Sequence, residues 1–246
     1  MSEHYIGGFH AVIAALEDSA KKPFEVLLAD SRNDERSRRV RELAAALGIS
    51  VRTVGRSDLD LKVPGLRHQG VLALMPQIEL AGEQVLDAPA SESRLFLALD
   101  GVQDPHNLGA CLRTAEAAGA SAVIIPKDRA ASLTPVARKV AAGSAERVPV
   151  ISVTNLSRTL ERLKERGYWL TGLAGEGEGT IYDVDLKGPL VLVLGAEGEG
   201  LRRLTKETCD RVVRIPMMGK AESLNVSAAA AVCLFEAFRQ RHVVKR

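Results

Sequence analysis

From residue 94 onward the chain alternates short apolar runs with longer amphipathic ones, and this alternation limits the fold more than any other feature. The apolar runs lie at 95–99, 122–125, 149–153, 168–173, 190–194 and 212–215. Between and after them, 107–118, 134–143, 156–166, 201–207 and 224–241 carry apolar residues at helical spacing. Strands without an alternating polar face are buried on both sides. The pattern therefore predicts an α/β fold with a mostly parallel sheet covered by helices on both faces. Such sheets bind ligands at the carboxyl ends of their strands, so the loops that follow the strands are where chemistry is expected.

Three of those loops stand out. The first, DGVQDPHNLGACLRTAEAAGA at 100–120, turns through Asp104, Pro105 and Asn107 into a helix that carries Arg113 in its second turn. A helix start of this kind favours an anion such as phosphate; an Asn cap with a surface Arg is the plainer account. The second, LVLVLGAEGEGLRRL at 190–204, has Gly195, Gly198 and Gly200, which let backbone approach a ligand closely. No Gly-Lys-Ser/Thr follows, the glycine spacing is not that of a dinucleotide fold, and Glu197 and Glu199 would repel a pyrophosphate. A ligand that is cationic or neutral at its reactive centre fits better. The third, IPMMGKAESLNVSAAAAVCLFEAF at 215–238, places a small, polar loop before a long apolar helix. Ser223 is the expected N-cap, Asn225 sits at the junction, and Leu224 either packs or offers its backbone to a ligand. A buried helix with an ordinary start would read the same way.

The chain has 246 residues, of which 46% are hydrophobic, enough for one large or two small cores. Residues 4–75 read as a small α/β unit, with helices at 9–16 and 34–47, the latter ended by Gly48, and strands at 24–29, 50–54 and 71–75. The polar stretch 76–93 is expected to be a linker before a second domain at 94–246. A net charge of +2 exerts no global pull on nucleic acid, so any nucleic-acid site must come from local clusters. Arg36, Arg38, Arg39 and Arg41 form one; Lys127 with Arg129, Arg138 with Lys139, and Arg202, Arg203 with Lys206 form others. Each taken alone also reads as a solvated face. Three distant cysteines and five scattered histidines give neither a disulfide frame nor a metal site, which points to a reducing cytoplasm. No signal peptide and no bilayer-length apolar stretch is apparent.

The motifs NLGACLRTAEAAGA, LGAEGEG and IPMMGKAESLNVSAAAA, in this order, resemble the three signatures of the SpoU branch of the SPOUT RNA methyltransferases. The likeness covers about residue 95 to the end. The N-terminal unit, with GFHAV at 8–12 and HQG at 68–70, resembles the L30e-like RNA-binding domain of the subfamily that methylates a guanosine ribose in bacterial 23S rRNA. Gly7 stands where an aromatic usually precedes the first of these motifs.

The resemblance implies S-adenosylmethionine as methyl donor, a deep trefoil knot in the C-terminal domain, large-subunit rRNA as substrate, and a homodimer whose active site is completed across the interface. Carried onto this sequence, Gly195, Ile215 and Leu224 are expected to hold the cofactor. Arg113 is expected to be catalytic, with Asn107, Glu197, Ser223 and Asn225 around it and Glu197 a candidate anchor for Arg113 or for the motif loops. Two other readings stay open: ribose methylation of tRNA, which the N-terminal unit argues against, and a non-catalytic RNA-binding assembly factor, which the intact Arg113, Ser223 and Asn225 argue against. A nicotinamide dehydrogenase would need a glycine loop that this chain lacks.

Overall fold

The computed structural model describes residues 3–17, 22–76, 80–221 and 223–242. The chain divides into two compact units, Met1–Glu79 and Leu80–Arg246. In the first, β1 (Glu3–Gly7), α1 (Phe9–Glu17), β2 (Glu25–Ala29), α2 (Glu35–Ala46), β3 (Ser50–Val54), α3 (Arg56–Lys62) and β4 (Val71–Pro76) follow in sequence. The sheet order is β1-β4-β2-β3, with β4 antiparallel to both neighbours and β2 parallel to β3. Period-2 alternation divides β2 between two faces: Val26 and Leu28 pack with α1 and α2 through Phe9, Val12 and Val40, whereas Leu27 and Ala29 pack with Leu59 of α3. The helix α2 begins where Asp34 accepts the Ser37 amide at 2.9 Å and ends before Gly48, which takes a φ of 68°. The strand β1 and the helix α3 had no clear periodic signal in the sequence; both are short.

The second unit is built on β5 (Leu95–Asp100), β6 (Ala122–Pro126), β7 (Val150–Val153), β8 (Trp169–Leu173), β9 (Gly179–Thr180), β10 (Leu190–Gly195) and β11 (Arg211–Arg214). Their order is β7-β6-β5-β10-β8-β11-β9 and every pairing is parallel. The helices are α4 (Pro105–Ala117), α5 (Pro135–Ala141), α6 (Ser144–Arg147), α7 (Leu156–Glu165), α8 (Arg203–Thr208) and α9 (Val226–His242). Alternate residues of the central strands feed opposite cores. Leu95, Leu97, Leu99, Leu190, Leu192 and Leu194 meet α4, α5 and α9; Phe96, Ala98, Val191 and Val193 meet α7. Each fully buried Leu contributes about 2 kcal/mol, so both faces of β5 and β10 are strongly held in register. In α7 the buried Leu156, Thr159, Leu160 and Leu163 fall on one stripe at helical spacing.

Two expectations are corrected here. The helix expected at 134–143 is present as α5 but ends at Ala141, because Ala142 and Gly143 take φ values of 51° and 90°; the short α6 that follows was not expected. Part of the stretch expected to be a linker is packed structure. Ala81 donates its amide to Val150 at 2.8 Å, and Leu86, in a 3-10 turn at Glu83–Asp87, is buried against the α7 face of the sheet. Residues 77–79 of that stretch lie outside the described residues. Among the described residues no helix is long and apolar enough to cross a membrane, and no group of three or more His, Cys, Asp or Glu is placed to hold a metal.

Candidate active site

Three loops leave the carboxyl ends of β5, β10 and β11 and come together. After β5, Asp104 caps α4 by accepting the His106 amide at 2.8 Å, and Pro105 occupies the first turn, where a missing N–H costs nothing. This start buries Asn107, which is 8% exposed. After β10, the loop folds so tightly that a Cβ on Gly195 would lie 2.0 Å from the carbonyl carbon of Gly200. Only glycine fits there. Gly200 donates its amide to Ala196 at 2.9 Å, and the closed turn presents Glu197. After β11, residues 215–225 lead into α9.

Glu197 is the meeting point. Its Oε1 accepts from Asn107 Nδ2 at 3.1 Å, from Asn225 Nδ2 at 2.5 Å and from the Val226 amide at 3.4 Å. Asn225 Nδ2 also donates to Asn107 Oδ1 at 3.0 Å. The other end of Asn225 caps α9: its Oδ1 accepts from the Ser227 amide at 2.9 Å and from Ser227 Oγ at 2.6 Å. With Oδ1 committed to the helix start, the donor end of the amide must face Glu197. The cap is therefore Asn225, not Ser223 as the sequence suggested. Ser223 is exposed and lies two residues before the cap.

A cleft of about 380 Å³ opens between the loops after β8, β10 and β11. Gly195, Ile215 and Leu224, the three expected cofactor residues, all line it, as do Ser223, Glu197 and Glu176. Glu176, Glu197 and Glu199 line it together with the glycine-rich loop after β10. That donor set suits a neutral heterocycle held by backbone and a cationic centre near carboxylate, and it would disfavour a polyphosphate.

Arg113 is not part of this assembly within one chain. It is exposed, does not line the cleft, and makes no hydrogen bond or ion pair with a described residue. Of the two roles expected for Glu197, it anchors the motif loops, through Asn107, Asn225 and the Val226 amide, and not Arg113 of its own chain. Asn107 and Arg113 are six positions apart on α4 and so point about 120° apart around its axis.

Sequence reasoning did not single out Asp100. It is 1% exposed, and its Oδ2 accepts the Arg202 amide at 2.9 Å while the Arg202 guanidinium sits 3.5 Å from Oδ1. The pair ties the loop after β5 to the loop after β10. An acid closing the otherwise apolar run LFLALD was the available signal. Arg202, read from sequence as part of a basic cluster, is thus engaged within the fold, as are Arg203 with Glu207 at 2.8 Å and Lys206 with Glu176 at 2.6 Å. Behind the site, burial pushes the Cys111 thiol up to about 12, and the Glu197 carboxylate adds to the effect.

Comparison with known proteins gives a consistent result. Residues 94–235 match the SpoU rRNA Methylase family, and residues 5–81 match the domain described as RNA 2'-O ribose methyltransferase substrate binding. The chain is 52% identical to the 23S rRNA (guanosine-2'-O-)-methyltransferase RlmB of Pseudomonas putida, over 97% of each protein. It is 53% identical to the protein of that name from Haemophilus influenzae, over 98% of this chain and 99% of that one. Among solved structures it is similar to the SpoU methyltransferase AviRb from Streptomyces viridochromogenes in complex with AdoMet. There the TM-score is 0.80 and the identity 26%, over 97% of this chain and 90% of that one. It is also similar to the TrmH/SpoU tRNA modifying enzyme of A. aeolicus, with a TM-score of 0.55 and 30% identity, but over only 64% of this chain and 79% of that one.

Proposed function

This chain belongs to the SpoU rRNA methylase family, and we propose that it methylates the ribose 2'-hydroxyl of a guanosine in 23S rRNA, with S-adenosylmethionine as donor. The observation that carries this reading is the identity of about half the residues, end to end, with 23S rRNA guanosine-2'-O-methyltransferases. The A. aeolicus tRNA enzyme matches a much smaller share of the chain, and a first unit that fits a substrate-binding domain favours rRNA over tRNA. Cytoplasmic action follows from that substrate, and the three free cysteines accord with it.

Gly195, Ile215 and Leu224 are assigned to the cofactor because they line the cleft between the loops after β8, β10 and β11. S-adenosylmethionine supplies an electrophilic methyl group on a sulfonium cation. Glu197 and Glu199, which line the cleft, favour a cation there, while Glu176 is already paired with Lys206.

The attacking 2'-hydroxyl is a weak nucleophile, so the protein must stabilise the charge that develops on its oxygen. Arg113 is assigned that role in its charged form. Removing a proton from any guanidinium at pH 7 costs about 8 kcal/mol, whereas a charged, planar fork can grip a phosphate of the RNA and stabilise the nascent alkoxide at no such cost. Asn107, Glu197 and Asn225 hold the loops in place, and Ser223, at the cleft wall, is assigned to orienting the ribose.

The 120° divergence of Arg113 from Asn107 supports a homodimer in which Arg113 of one copy completes the site of the other. The exposed Phe235 and Phe238 on α9, 46% and 38% accessible, offer an apolar face for that contact. The test is transfer of tritium from labelled S-adenosylmethionine into 23S rRNA that lacks the modification, with tRNA in parallel. Label on one rRNA guanosine ribose supports the reading, label on tRNA alone overturns the substrate, and cofactor binding without transfer to any RNA overturns the enzymatic assignment.

A further inference from the structure

At one end of the sheet of the first unit, three loops are interlocked. Gly8 donates its amide to Val71 at 3.2 Å, and a Cβ on Gly7 would lie 2.8 Å from Leu66 and 3.0 Å from His68. Ala29 donates to Gly70 at 2.9 Å. The Arg32 side chain lies over Gly70, where a Cβ would come within 3.0 Å of its Cγ and Nε, and its guanidinium sits 5.6 Å from the Phe9 ring centroid.

Gln69 stands at this junction with a φ of 55°. That is the left-handed region, which glycine or asparagine occupies at lower cost. Its side chain is exposed and makes no hydrogen bond to a described residue. The turn beneath it is rigidly built. His68 is 3% exposed; its Nδ1 accepts the Gly70 amide at 3.0 Å, so Nε2 carries the hydrogen and donates it to Asp60 at 2.8 Å. A buried imidazole held at both nitrogens thus supports a long, unpartnered amide in a conformation that disfavours it. Strain retained under an exposed polar group points to use of that group. Nearby, Arg32 is tied to Asp34 at 2.8 Å, and Arg67, two residues before Gln69, and His10, two residues after Gly8, are exposed and make no ion pair with a described residue.

A carboxamide presents an acceptor and a donor side by side, which is the pattern that reads a base edge, and single-stranded RNA offers such edges unpaired. A guanidinium held flat by an aromatic ring is a platform on which a base can stack. We propose that this junction is the specificity-determining site for the RNA substrate, with the Gln69 amide reading an unpaired base, Arg32 stacking beside it, and Arg67 and His10 contacting the flanking phosphates. The assignment rests on the rRNA reading above and names where on the first unit selection occurs.

The experiment compares full-length wild-type protein with Gln69→Ala, Gln69→Glu and Gln69→Gly. It measures steady-state methyl transfer into unmodified 23S rRNA, with unrelated RNA as competitor, alongside S-adenosylmethionine binding and thermal melting. All three substitutions are expected to raise KM for rRNA about tenfold, the scale of one bidentate base contact, and to make the enzyme more easily inhibited by the competitor. The kcat and the cofactor affinity stay unchanged. Gln69→Gly is the decisive variant: it relieves the backbone, so its melting temperature rises while its KM worsens. A purely structural Gln69 predicts the opposite, a Gly variant with unchanged or improved KM. KM values within twofold of wild type in the Ala and Gly variants overturn the assignment and leave the enzymatic reading intact. A wild-type protein that methylates no rRNA removes both.

Discussion

Glu197 and Asn225 share a hydrogen bond of 2.5 Å, and through it the loop after β10 and the first turn of α9 converge on one carboxylate oxygen that Asn107 also reaches. Replacing Glu197 with Gln leaves the shape but opposes one amide N–H2 to two others in at least one orientation. Because these groups also reach water, the stability cost is expected to be about 1 kcal/mol or less. Methyl transfer is expected to fall about a hundredfold, the lower end for losing one preorganised polar contact. Urea denaturation beside initial-rate measurements separates the two; a parallel loss of both would mean that Glu197 serves only the fold.

Asn225 has two jobs that substitution can divide. Asn225→Asp keeps the oxygen that caps α9 but sets a second carboxylate against Glu197. At a pH low enough to protonate one of the two carboxylates, stability is expected to hold within about 0.5 kcal/mol, while activity at neutral pH is lost. Asn225→Ala loses the cap as well and costs about 1 kcal/mol. Comparing the two melting curves with the two rates checks this; equal stability in both variants would remove the capping role.

Two glycines mark contacts that no side chain can enter. On α4, a Cβ at Gly109 would lie 2.4 Å from the carbonyl oxygen of Ala137 and 2.7 Å from Val140. Gly109→Ala is therefore expected to destabilise the protein by about 1–3 kcal/mol through forced separation of α4 and α5, although Ala is the better helix former by about 1 kcal/mol. Gly195→Ala meets backbone on the far side of its own loop and is expected to abolish S-adenosylmethionine binding in calorimetry. Retained cofactor affinity would show that the loop opens without cost.

Arg113→Ala should leave stability unchanged, since the side chain is exposed and unpartnered, and should lower kcat by about 10²–10³. Arg113→Lys should recover little, because the ammonium lacks the planar fork. If Arg113 serves the site of a second copy, mixing Arg113→Ala with Asn225→Asp protein under subunit exchange restores activity, since one of the two hybrid sites then carries neither change. Absence of any recovery from a mixture shown to contain hybrids would return Arg113 to its own chain's site.

The thiols give a pH dependence with a fixed sign. Burial pushes Cys111, Cys209 and Cys233 up to about 12 from an ordinary value near 9. The unfolded chain therefore releases these protons first as pH rises. The stability they confer is complete below pH 9 and is lost progressively toward pH 12, with a slope approaching about 1.4 kcal/mol per pH unit for each thiol. Denaturant midpoints measured from pH 8 to 11 should fall, and replacing Cys233 with Ala should flatten the decline.

Six strands of the second unit were legible as apolar runs bracketed by turn residues, as Leu95–Asp100 and Leu190–Gly195 illustrate, whereas β9, two residues long, was not. Their spatial order was not, since hydrophobicity does not say that β10 inserts between β5 and β8. The three site loops could be located from glycine and asparagine content, but the identity of the α9 cap could not. Ser223 and Asn225 are both good caps, and only the tertiary pull of Glu197 selects the second. The break between α5 and α6 escaped because Ala142 is a strong helix former that here takes a left-handed turn. Asp100 escaped because a single buried acid has no periodic signature, and the partner that explains it, Arg202, lies far along the chain.

The hydrogen bonds that join Asn107 to Asn225 and to Glu197 span 118 and 90 positions of sequence. During synthesis, then, the first half of the site waits through most of the second unit's translation for its partners. A polypeptide that terminates before Asn225 has its sheet strands and its Arg113 but neither the final helix cap nor the wall that Leu224 supplies. The site's network is therefore complete only in a chain whose final helix has been made and folded back onto α4.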